Sequence, residues 1–137
     1  MPEQTVTVIG FDFGSYSIGV AIGQTLTRQA TPLPAIKRND WKAIERLLEE
    51  WRPQQLVVGL PLSMTGEDQE MTARAQRFGR QLQGRFGIET SMVDERLTTR
   101  EAWQLAEERD EFKSKQELDS MAAALITESW LRNRAVG

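Results

Sequence analysis

A chain of 137 residues, 39% apolar and 27% charged, has the size and makeup of one globular domain, with no room for a second core. It contains neither Cys nor His, which excludes disulfide scaffolds, thiolate nucleophiles, zinc sites built on those residues and every triad that needs an imidazole. The formal net charge of −3 provides no global positive field, so any grip on a polyanion has to come from local patches. Catalysis is left to Asp, Glu, Lys, Arg, Ser, Thr or Tyr, and any metal to a hard cation held by carboxylate oxygens. The start, Met1-Pro2-Glu3-Gln4, has no basic region leading into an apolar stretch, and the run Leu56 to Leu62 is far short of a membrane span. A cytoplasmic protein with no membrane partner is expected.

In chain order, Thr5 to Phe13 is rich in β-branched and aromatic residues on both faces and predicts a central strand. Gly14-Ser15-Tyr16 turns the chain into a second strand, Ser17 to Gly23, hairpinned to the first. A third strand, Thr31 to Ile36, carries Pro32 and Pro34, which suits an edge. The period then changes. Asp40 caps a helix with the stripe Trp41, Ile44, Leu47, Leu48 and Trp51, and Pro53 ends it. Gln55 to Gly59 is a short buried strand. A long helix follows with Met71, Ala75, Phe78, Leu82 and Phe86 on one side, then a strand from Ile88 to Asp94. Capping boxes at Thr98 and Ser114 open two further helices, the last with a stripe of Leu118, Met121, Leu125, Ile126 and Trp130. The order β-β-β-α-β-α-β-α-α predicts a mixed five-stranded sheet, three strands antiparallel and then parallel βαβ crossovers, with helices on both faces.

Three acidic positions stand out. Asp12 ends the apolar row Val6, Val8, Gly10 on one strand face, although an Asp before Phe13-Gly14 is also an ordinary turn initiator. Asp94-Glu95-Arg96 closes a strand, where acids often only solvate a loop but where open α/β sheets also build their sites. Asp119 lies on the last helix at an angle between Ile126 and Trp130, at the edge of the apolar arc. Favourable interaction with the helix dipole is the plain explanation, but that benefit fades past the first turn. An inward carboxylate is costly unless it is paired or metal-bound. Three carboxylates from the first strand, the last strand and the last helix are a way of holding Mg²⁺ or Mn²⁺ for phosphate chemistry.

Four segments, in order, resemble one family. Gly10-Phe11-Asp12-Phe13-Gly14-Ser15-Tyr16-Ser17-Ile18-Gly19-Val20-Ala21 resembles the opening motif of the YqgF/RuvX family. Val57-Val58-Gly59-Leu60-Pro61-Leu62 is similar to its central motif, Val93-Asp94-Glu95-Arg96-Leu97-Thr98 to its third, and Leu118 to Ile126 to its closing helix. The resemblance runs from about Val6 to Leu131. It implies a ribonuclease-H-like fold filling residues 1–137 as one nuclease domain, and a divalent-metal phosphodiesterase that works with a pair of Mg²⁺ or Mn²⁺ ions. Maturation of the 5′ end of pre-16S rRNA is the implied task, with resolution of branched DNA at Holliday junctions as the alternative. Asp12, Glu95 and Asp119 would be the metal-binding catalytic carboxylates, with Asp94 as a neighbour.

The family usually has a Lys at Tyr16 and a glycine- and lysine-rich approach to the final Asp. Here that approach is Phe112-Lys113-Ser114-Lys115-Gln116-Glu117-Leu118, so positive charge is thinned beside the site. Tyr16, Lys113, Lys115 and Arg96 are the candidate substrate contacts there. Arg74, Arg77, Arg80 and Arg85 fall within about 140° of the second helix, either as a phosphate-binding strip or as a solvated face. Trp41, Trp51, Trp103 and Trp130 follow helical apolar spacing and are expected in the core rather than as stacking platforms. Two other classes compete: a nucleotide-binding module opened by Asp-x-Gly, and a non-catalytic RNA-binding ribosome-assembly factor. A monomer and a two-fold dimer both remain open.

Overall fold

The computed structural model describes residues 5–14, 17–60, 69–94 and 115–136. The β-branched opening segment forms β1 (Thr7–Phe13), which hairpins into β2 (Ser17–Gln24), and β3 (Ala30–Lys37) follows. Then come α1 (Trp41–Trp51), β4 (Gln55–Leu60), α2 (Gln69–Phe86), β5 (Glu89–Asp94) and the long helix α3 (Lys115–Val136). The strands form one sheet in the order β3-β2-β1-β4-β5. β1 runs antiparallel to β2 and parallel to β4, and β4 runs parallel to β5. This is the expected mixed sheet, with the proline-bearing β3 at an edge.

β1 is apolar on both faces because both faces are covered. Ile9, Phe11 and Phe13 enter a core with Ile44 and Leu48 of α1 and Ala75, Phe78 and Leu82 of α2. Phe78 sits at its centre, edge-on to Phe11 at 5.6 Å and tilted against Phe13 at 5.2 Å and Trp41 at 5.6 Å. Such aromatic pairs add about 0.5–1.5 kcal/mol each beyond the area they bury. On the other face, Val8 and Val57 pack with Ile126 and Leu131 of α3.

Helix α1 starts and stops as its sequence dictates. The Asp40 carboxylate accepts the Ala43 N–H at 3.1 Å, and left-handed Arg52 (φ 46°) returns its N–H to the Leu48 carbonyl at 2.8 Å. Trp51 departs from expectation. It is 38% exposed rather than core, because it occupies the last helical position, where no further turn covers its ring. Trp41 and Trp130 are partly buried against the two cores, and Trp103 lies outside the described residues.

Helix α3 also differs from its predicted stripe. Met121, Leu125 and Trp130 are only partly buried, whereas Ala122, Ala123, Ala124, Thr127 and Ser129 are buried. The reason lies in the sheet, which presents Gly10, Gly19 and Gly23 to this helix. A Cβ on Gly10 would collide with the Thr127 side chain, and one on Gly19 would collide with the Asp119 carbonyl. Glycines on the sheet and small residues on the helix bring the two backbones together. At the far side, the Glu128 carboxylate accepts the Ala30 N–H of β3 at 3.1 Å. Among the described residues no helix is long and apolar enough to cross a membrane.

Candidate active site

The parallel strands β1, β4 and β5 all finish at the same end of the sheet, and Asp12 sits on β1 near that end. Asp12 is part of the strand rather than of the turn. It stands opposite Gly19 on β2 and Gly59 on β4. Cross-strand partners project to the same face, so Asp12 points toward the α3 side, as Gly10 does two residues earlier. Its two flanking partners carry no side chain. The row across the sheet therefore reads Gly19, Asp12, Gly59, Val93, with a half-buried carboxylate between two residues that carry no side chain.

Asp119 reaches the same place from the helix. It lies one turn inside α3 and is 8% exposed, which rules out a solvated helix face. Its main-chain carbonyl abuts Gly19, the partner of Asp12. Its carboxylate accepts a hydrogen bond from Ser17 Oγ at 3.0 Å. A Cβ built on Gly14, two residues beyond Asp12, would lie 3.8 Å from Asp119 Oδ2. Residues 107 positions apart in the chain are thus brought to one end of one face.

The close approach at Gly19 is built into β2. The β2–β3 ladder slips between Ile18 and Val20, and at this slip the Val20 N–H donates to Ser120 Oγ at 3.2 Å. A bulge re-aims the backbone and frees a donor for a partner outside the ladder. The contacts of Ser17 and Ser120, both buried, were not legible in the sequence. Each is a common small polar residue whose partner lies about a hundred positions away, and sequence spacing holds no trace of that pairing.

The other predicted site residues fall as follows. Asp94 ends β5, with its Cα opposite Leu60. Glu95, Arg96, Tyr16 and Lys113 lie outside the described residues, and Lys115 is the first residue of α3. Among the described residues alone, no group of three acids gathers into a metal cluster. Arg74 is held by Glu70 at 2.6 Å across one helical turn. Arg85 leaves the predicted strip and lies over the Trp41 ring at 4.1 Å, a cation–π contact with α1. Arg77 and Arg80 are exposed.

Comparison with known proteins fits this arrangement. The family model described as "RuvX: Holliday junction resolvase" matches residues 6–133, a span that contains Asp12, Glu95 and Asp119. The chain belongs to the RuvX family. A relative from Aeromonas salmonicida is 51% identical over 134 residues, covering 93% of this chain and 96% of its own length. One from Escherichia coli O157:H7 is 48% identical over 130 residues, covering 90% and 94%. Both carry the name "Putative pre-16S rRNA nuclease". RuvX membership places the chain among the nucleases, enzymes that hydrolyse phosphodiester bonds in nucleic acid.

Solved structures bear out the fold. Thermus thermophilus RuvC in complex with a Holliday junction substrate superposes with a TM-score of 0.61 at 13% identity, covering 95% of this chain and 96% of that one. The yeast mitochondrial Holliday junction resolvase gives 0.58 at 10% identity, covering 93% and 78%. This RuvX chain therefore has the RuvC-like, ribonuclease-H-type architecture that its motifs implied.

Proposed function

We propose that residues 1–137 form one RNase H-like domain that acts in the cytoplasm as a divalent-metal-dependent nuclease processing the 5′ end of pre-16S rRNA. The observation that carries this reading is the convergence of Asp12 and buried Asp119 on one face, beside the side-chain-free positions Gly19 and Gly59. The choice of rRNA over branched DNA rests on the names of the full-length relatives.

The donor set suits Mg²⁺ or Mn²⁺. Both are hard cations that take carboxylate oxygen and retain several waters, and this chain has no His or Cys to offer a softer ion. Asp12, Glu95 and Asp119 would hold them. When bound, a pair of such ions supplies Lewis-acid polarisation of the scissile phosphate and a lowered pKa for the attacking water. The chain's own contribution is placement. Asp12 is fixed in a five-residue parallel register with β4, and Asp119 sits on a helix pressed against glycines, so neither carboxylate depends on a loop. Gly19 gives its side-chain space to the Asp119 main chain, which brings that helix down beside Asp12.

Substrate grip is assigned to Arg96, Tyr16, Lys113 and Lys115, which neighbour the acidic motifs in sequence, and to Arg77 and Arg80 on α2, with Arg74 weakened by its bond to Glu70. Among the described residues neither Arg77 nor Arg80 has an acidic partner within salt-bridge distance. Arg80 also lines a cavity of about 550 Å³ between α2 and β5, with Gln76, Gln83 and Thr90. Reversing Arg77 and Arg80 to Glu is expected to weaken RNA binding uniformly across sequences. The slope of log K against log salt should fall by about 0.7 per lost phosphate contact on single-stranded RNA. An unchanged slope in a binding titration would return this face to simple solvation.

The reading as a whole is tested by incubating the purified protein with a 5′-extended 16S precursor transcript and, separately, with a four-way DNA junction. Cleavage of the transcript in Mg²⁺ or Mn²⁺ that is lost in EDTA is the expected result. Metal-dependent cleavage of the junction alone would make the protein a resolvase. Binding without cleavage would make it an assembly factor.

A further inference from the structure

Ser17 is the first residue of β2, and the backbone fixes where its hydroxyl sits. The Gly14 N–H donates to the Ser17 carbonyl at 3.0 Å, closing the β1–β2 turn, and Ser17 is in register with Lys37 of β3. From that fixed point Ser17 Oγ donates to Asp119 Oδ2 at 3.0 Å, with both residues buried. An Asp side chain on its own turns broadly about its terminal torsion. A hydroxyl donating to one oxygen removes that freedom and occupies one of the roughly four lone-pair positions of the carboxylate, leaving the rest for a cation. The next residue of the helix is tied to the same strand through the Val20–Ser120 bond, a contact separate from the one that holds the Asp119 carboxylate.

We infer that Ser17 is a positioning residue for the nuclease reaction, orienting the Asp119 carboxylate for the divalent cation. This rests on the reading of Asp119 as a metal ligand. Ser17 touches neither substrate nor metal in this role. It acts through Asp119, as outer partners of metal ligands do in general, and loss of such partners costs about 10- to 100-fold in metal affinity.

The test is a Mn²⁺ titration of the full chain, read by thermal shift and in parallel by cleavage rate. Ser17→Ala is expected to raise the half-saturating Mn²⁺ concentration about 10- to 100-fold in both readouts, with the rate at saturating metal largely recovered. Ser17→Cys keeps the volume but offers only a weak donor, so its midpoint should rise as well, and it serves if the Ala variant does not fold. Ser120→Ala removes the backbone tie alone. It should lower the melting temperature without metal and leave the Mn²⁺ midpoint unmoved. Wild-type midpoints in the Ser17 variants, alongside an Asp12→Asn protein that no longer responds to Mn²⁺, would overturn this inference and leave the active-site reading standing. If wild type and Asp12→Asn respond identically to Mn²⁺, the metal site itself fails and this inference falls with it.

Discussion

Asp12→Asn is expected to cut metal-dependent cleavage by at least about 10²–10³-fold, the usual scale for removing one electrostatic stabiliser of a transition state, while the protein stays folded. The substitution is nearly isosteric, and the cross-strand partners of Asp12, Gly19 and Gly59, carry no side chain for it to disturb. The strand itself is held by main-chain bonds to β2 and β4 and by Phe11 and Phe13 on the opposite face. Stability without metal should be equal or higher, because a negative charge leaves a face that also carries Asp119. Like charges in a shared site oppose each other until a cation binds. Cleavage assays across a Mg²⁺ series, paired with thermal melts in EDTA, measure both halves of the expectation. A variant that cleaves at the wild-type rate from a contaminant-free preparation would remove Asp12 from the chemistry. A variant that melts much lower would mark Asp12 as a structural residue.

The pattern of the chain carried the architecture well because period and burial agree along most of it. β1 is apolar on both faces, as a strand covered by helices on both sides must be, and Asp40 and Pro53 bracket α1 where expected. Asp12 and Asp119 stood out as candidates because each interrupts an apolar pattern, which is a local signal. What was not legible is contact across distance. Ser17 meets Asp119 across 102 positions and Val20 meets Ser120 across 100, and neither pairing leaves a mark on spacing. The buried stripe of α3 was legible only in part for the same reason, since Ile126 is buried as expected but Met121, Leu125 and Trp130 are only partly so. Large apolar residues were expected to face the sheet, but Gly10, Gly19 and Gly23 on the sheet select Ala123, Thr127 and the Asp119 backbone instead. Arg85 looked like part of a basic strip because the helix alone was considered, whereas the Trp41 ring of α1 captures it.

Asp119→Asn is expected to abolish most of the stabilisation that divalent metal gives the folded protein. A ligand that binds only the native state adds about 2.7 kcal/mol at a concentration 100 times its dissociation constant. For a chain of this size each kcal/mol moves the melting temperature by roughly 3–4 °C, so the wild type should melt about 10 °C higher in saturating Mg²⁺ or Mn²⁺. If Asp119 only favoured the helix dipole, its replacement would cost at most about 0.3–1 kcal/mol, and metal would act equally on wild type and variant. Its burial and its bond to Ser17 argue against that role, since a surface dipole contact needs neither. Asp12→Asn and Glu95→Gln should shrink the metal shift to a similar degree. The three effects should not add, because carboxylates serving one cluster lose the same bound ions whichever is removed first. A thermal-shift titration of the wild type, the three single variants and the Asp12→Asn/Asp119→Asn double variant separates the cases. A double variant no worse than either single variant supports a shared site. Equal metal shifts in wild type and Asp119→Asn would leave Asp119 as a buried helix residue hydrogen-bonded to Ser17 and break the three-carboxylate assignment.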